Sequence, residues 1–71
     1  MPKLPQVRPR ELVRTLKKLG FFEYRQKGSH LSMIHPAKQR VITIPMHSRP
    51  LKKGTLAAIL RQAGLAIEDI Q

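Results

Sequence analysis

The chain has 71 residues and a formal net charge of +10, fourteen Lys and Arg against four Asp and Glu, which describes one small, strongly basic domain over residues 1–71. At this length folding buries roughly 60% of the chain's surface, so no deep substrate cleft is expected and any chemistry belongs on the outside. The absence of cysteine removes disulfides, thiolate nucleophiles and cysteine-ligated zinc, and fits a reducing compartment. No apolar run follows Met1 and no stretch approaches the roughly 20 residues of a membrane span, so a soluble, cytoplasmic chain is expected. The positive charge asks for a polyanion. Because it is spread over every segment and not confined to one face of an apolar helix, nucleic acid fits better than a membrane surface.

Residues 1–7, with Pro2 and Pro5, read as a loose leader. Helical spacing then appears, with Leu12, Val13, Leu16 and Leu19 on one face and Arg10, Arg14, Lys17 and Lys18 on the other. The first helix is expected over about 9–19. Pro9 suits its first position, Val7 is placed to staple onto Leu12, and Gly20 is a natural terminator, although Arg8 supplies no capping acceptor.

After Gly20 the period changes to two. Phe22, Tyr24 and Gln26 alternate with Glu23, Arg25 and Lys27; Gly28-Ser29 has hairpin composition; and Leu31 and Met33 alternate with His30, Ser32 and Ile34. A polar turn from His35 to Arg40 leads into Val41-Ile42-Thr43-Ile44, a third strand ended by Pro45. Met46 to Lys53 is a basic loop. A second helix is expected over about 54–63, with Leu56, Ile59, Leu60 and Ala63 on one face, Gly64 as its stop and Leu65 completing the cap contact. Residues 66–71 form a tail. The order α-β-β-β-α predicts an α+β two-layer sandwich, two helices on one face of a three-stranded antiparallel meander, the shape of double-stranded-RNA-binding domains.

The residues suited to chemistry are few. His30 follows Gly28-Ser29, has Arg25 and Lys27 close by, and alternates away from Leu31 and Met33, so it is expected on a solvent-facing surface where an imidazole exchanges protons freely. Spacing alone does not choose between this and an ordinary surface histidine. His35, before Pro36, suits local hydrogen bonds in a turn. His47 shares the basic loop with Arg49, Lys52 and Lys53 and is placed to contact phosphate, and the last two open the second helix, where free N–H groups favour anions; a solvated basic face is the competing reading. Of the three aromatics, core packing is expected to take at least two, against base stacking by Phe22 and Tyr24. The histidines have no short ligand spacing and the acids are Glu11, Glu23, Glu68 and Asp69, so no metal or cofactor is expected, and neither two-metal nor two-carboxylate chemistry has its residues. What remains is metal-free cleavage with the RNA 2′-hydroxyl as nucleophile, for which the protein supplies cations and a proton carrier.

The ordered set Arg10-Glu11-Leu12-Val13, Lys27-Gly28-Ser29-His30, His35-Pro36, Val41-Ile42-Thr43-Ile44-Pro45 and Lys53-Gly54-Thr55-Leu56 through Gln62-Ala63-Gly64 resembles HicA toxins of toxin–antitoxin systems, over about residues 7–65. The resemblance implies an mRNA interferase with a double-stranded-RNA-binding-like fold that cleaves RNA without metal. It implies His30, in the Gly-Ser-His motif, as the catalytic histidine, and a HicB antitoxin that covers the active face, the toxin being monomeric alone and hetero-oligomeric with its antitoxin. A noncatalytic RNA-binding module of the same fold is the alternative, and a basic DNA-binding accessory protein the third, for which the second helix offers only Arg61 and Gln62 as base readers.

Overall fold

A computed structural model describes residues 4–71, so the first three residues of the expected leader lie outside the described part. Helix α1 spans Pro9–Lys18, strand β1 Phe22–Lys27, β2 His30–His35, β3 Arg40–Pro45 and helix α2 Lys53–Ala63. Short 3₁₀ turns occupy Pro36–Lys38 and Ile67–Ile70. The strands form one antiparallel sheet in the order β1-β2-β3. The expected α-β-β-β-α order and α+β class are both present.

Leu31 and Met33 of β2 pair with Ile44 and Ile42 of β3, and these four join Leu12 and Leu16 of α1 and Leu56, Ile59 and Leu60 of α2 in one buried cluster. Both helices therefore cover the same face of the sheet. Each fully buried Leu or Ile contributes about 1.5–3 kcal/mol of transfer free energy, which for a domain without disulfides is the main source of stability. Leu4 and Val7 of the expected leader, and Ile67 and Ile70 of the expected tail, pack against this cluster. Val7 is also tied down through its carbonyl, which accepts from the Leu51 N–H.

Both helices end in the same way. Past α1 the Gly20 N–H donates to the Lys17 carbonyl and the Phe21 N–H to that of Leu16; past α2 Gly64 donates to Arg61 and Leu65 to Leu60. This double bond pattern is the Schellman motif, and it needs a left-handed residue, supplied by Gly20 at φ 100° and Gly64 at φ 71°. At the start of α1 the missing acceptor at Arg8 is replaced from the other direction: the Glu11 carboxylate accepts from the Arg8 backbone N–H at 2.9 Å, one half of a capping box.

Two sequence expectations fail at β1. A bulge between Glu23 and Arg25 breaks the alternation, so Phe22 pairs with Ile34 and Arg25 with Ser32, while Glu23 pairs with Met33 and Gln26 with Leu31. Directly paired residues share a face, so Phe22 joins Arg25 and Lys27 on the open side and Gln26 joins Glu23 on the helix side. The aromatics correct in turn. Only Phe21 is in the core, whereas Phe22 and Tyr24 are 61% and 65% exposed. Phe21 is held inside because it follows the terminating glycine, donates its N–H to the Leu16 carbonyl and joins Leu16 in the buried cluster, where the motif usually places an apolar residue.

Candidate active site

The hairpin turn is two residues long, joining the pair Lys27 and His30 through Gly28 and Ser29. Gly28 has φ 59° and Ser29 does not share the positive sign, the type II′ pattern that matches strand twist. His30 is thus the first residue of β2, on the open face, with Lys27 on one side and Pro45 on the other. Its side chain is exposed, as are those of Arg25 and Lys27. Together with Gly28, Ser29 and Ser32 these residues line a shallow hollow of about 640 Å³.

No carboxylate lines this hollow. Glu11 is at the start of α1, Glu23 pairs with Lys17, and Glu68 and Asp69 lie in the 67–70 turn. The local charge is therefore positive, and an anion drawn in meets an imidazole beside an ammonium and a guanidinium, donors suited to charge-assisted bonds with phosphate oxygens. A Cβ built on Gly28 meets nothing within 4 Å, so the turn leaves its outer side open to a ligand.

The other histidines have different settings. His35 accepts at Nδ1 from the Lys38 N–H at 3.2 Å, the local turn bond expected of it, and its ring stands edge-on to Phe21 with centroids 5.0 Å apart. Lys52 and Lys53 do not line the cleft that holds His47. His47 shares that cleft with Arg8, Arg10 and Arg14, three arginines that sequence spacing had placed only before or along the solvent face of the first helix. The available signal was the four-residue spacing of Arg10 and Arg14, which stacks them on one face.

Arg49, Lys52 and Lys53 are exposed in the loop after β3 and at the start of α2, outside the His30 hollow. Cations at a helix start oppose the macrodipole, at a cost of about 0.3–1 kcal/mol each, so local stability does not account for Lys52 and Lys53. Among the described residues no group of three or more His, Asp or Glu is placed to hold a metal ion, and no helix is long and apolar enough to cross a membrane.

With this geometry in view, the comparison with protein families is specific: the model described as HicA toxin of bacterial toxin–antitoxin matches residues 9–65. The chain belongs to the HicA toxin family. No curated protein matches it. The HicA match begins at the first residue of α1 and ends at Leu65, whose N–H closes the cap of α2, so it takes in the His30 hairpin, the whole sheet and both helices. As a HicA toxin the chain is one component of a toxin–antitoxin system, and an antitoxin is its general counterpart.

Proposed function

We propose that the chain is an mRNA-cleaving endoribonuclease of the cytoplasm, with His30 as its general acid/base, and that a HicB-type antitoxin inhibits it by covering His30. The observation that carries this reading is an exposed imidazole directly opposite Lys27, in a hollow without carboxylates, on a chain of a toxin family whose members in general cleave mRNA.

The RNA supplies its own nucleophile. The 2′-oxygen attacks the adjacent phosphorus, the bond from phosphorus to the 5′-oxygen breaks, and the products are a 2′,3′-cyclic phosphate and a 5′-hydroxyl. His30 moves a proton in this exchange, and Arg25 and Lys27 offset the charge that builds on the phosphate oxygens. The residues present require no metal for these roles. Arg49, Lys52, Lys53 and His47 extend the electrostatic footprint, positioning the strand without reading its bases.

Purified chain incubated with RNA tests the proposal. His30→Ala should lower the cleavage rate by about 10²–10⁴. Cleavage should persist in excess EDTA and fail on 2′-O-methyl RNA. Retention of the wild-type rate by His30→Ala, a requirement for Mg²⁺, or cutting of 2′-O-methyl RNA would overturn it. A chain that binds RNA tightly and never cuts it would instead be the noncatalytic RNA-binding module.

A further inference from the structure

A second cationic concavity lies where α1 meets the loop after β3. It is a cleft of about 400 Å³ lined by Arg8, Arg10, Glu11, Arg14, His47 and Ser48. Glu11 accepts the Arg8 backbone N–H, and against its single negative charge stand three guanidiniums, which leaves the cleft net positive. Among the described residues the one ion pair is Lys17 with Glu23, which leaves Arg10 and Arg14 exposed and without an acidic partner. Arg8 is held in place, donating from its guanidinium to the Ser48 carbonyl. His47 contributes an imidazole whose Nδ1 is buried and has no hydrogen-bond partner among the described residues.

Apart from the bond of Arg8 to Ser48, no contact of the fold calls for this gathering among the described residues. The three arginines are exposed, and like charges brought together repel one another in the free protein, a cost that a bound polyanion reverses. The cleft is also linked to the hairpin. Pro45 is the cross-strand partner of His30, the Met46 N–H donates to the Ser29 carbonyl, and His47 is the next residue. At about 3.3 Å per extended residue, His47 is about 7 Å along the chain from Pro45. Arg10 and Arg14 further line a groove on the helix side of β1 with the paired Lys17 and Glu23 and with Gln26, whose side-chain amide donates to the Gly28 carbonyl in the turn. A few nucleotides of single strand would span the interval.

We infer that the Arg8, Arg10, Arg14 and His47 cleft is a second phosphate subsite for the same RNA strand, engaging its backbone a few nucleotides from the bond presented to His30. The assignment rests on the ribonuclease reading for the identity of the strand, and its chemistry is that of guanidinium forks on phosphate oxygens. It makes the affinity of the protein depend on RNA length.

The test uses 2′-O-methyl RNAs of twelve and two nucleotides as uncleavable probes, with Arg10→Gln/Arg14→Gln compared with Lys38→Gln/Arg61→Gln, which removes the same charge from exposed positions away from the cleft. The arginine pair should weaken binding of the long probe about tenfold or more and lower its salt slope by about 1.4, two contacts at 0.7 each. The dinucleotide, whose single phosphodiester cannot occupy both places, should lose no more than it loses with the control pair. Equal losses in the two double variants, or equal losses for the two probes, would overturn the subsite. So would weakened capture of an acidic antitoxin with RNA affinity intact, which would assign the cleft to the protein partner. Because the probe cannot be cut, a chain inert toward ordinary RNA that still shows the length-dependent loss would end the ribonuclease reading and leave the subsite standing.

Discussion

Gly20→Ala should destabilise the fold by about 3 kcal/mol, with most of the loss conditional on His35. Gly20 sits at φ 100°, where an L side chain costs about 1–2 kcal/mol. A Cβ built there would stand 2.7 Å from His35 Nε2 and 3.2 Å from its Cδ2. The ring cannot simply swing aside, because its Nδ1 accepts from the Lys38 N–H and its edge-on contact with Phe21 joins it to the core. Overpacking of this kind costs about 1–3 kcal/mol, offset by about 0.4–1 kcal/mol from the stiffer unfolded chain. Against a total near 4–10 kcal/mol for a domain of this length, the loss is large. Urea unfolding reads it directly: with a slope of about 1–3 kcal/mol/M the midpoint should fall by about 1–3 M. In a His35→Ala background the crowding is gone and the backbone term remains, so the same substitution should cost only about 1 kcal/mol, a coupling of about 2 kcal/mol. Equal costs in the two backgrounds would refute the steric argument, and a Gly20→Ala chain as stable as the parent would refute both parts.

His30→Ala, which removes an exposed side chain that lies outside the buried core, should leave the unfolding free energy within about 0.5 kcal/mol of the parent while slowing cleavage by about 10²–10⁴; a large loss of stability would mean the residue supports the fold. Lys52→Ala with Lys53→Ala should weaken RNA binding without changing which sequences are cut, and relief of two unfavourable dipole interactions should raise thermal stability slightly, by about 0.3–1 kcal/mol each. Unchanged RNA affinity would mark the pair as a solvated face. Co-expression with the adjacent reading frame should yield a complex in which amide exchange slows across Lys27 to Leu31 and RNA cleavage stops; a complex that cleaves as fast as the free toxin would rule out masking of His30.

Features carried by residues close together in the chain are legible in the sequence alone. The four-residue turn around His30, the two helices with their glycine terminators, and the β-branched third strand each depend on local propensity and short periods, which survive in any context. The phase of β1 did not follow from alternation, because one bulged residue near Tyr24 resets the pattern and nothing in the local composition marks it. The choice of Phe21 over Phe22 for the core was written in the helix terminator, as the apolar partner of Leu16, but was hidden by the strand pattern that follows. The arginine cleft needed tertiary structure. Arg8 and Ser48 are 40 residues apart, and only the packing of both helices on one face of the sheet, with Val7 tied to Leu51, carries the loop after β3 onto the start of α1. Short-range sterics and hydrogen bonding decide a turn or a cap, whereas a surface made by two distant segments exists only once the hydrophobic core has fixed where each of them lies.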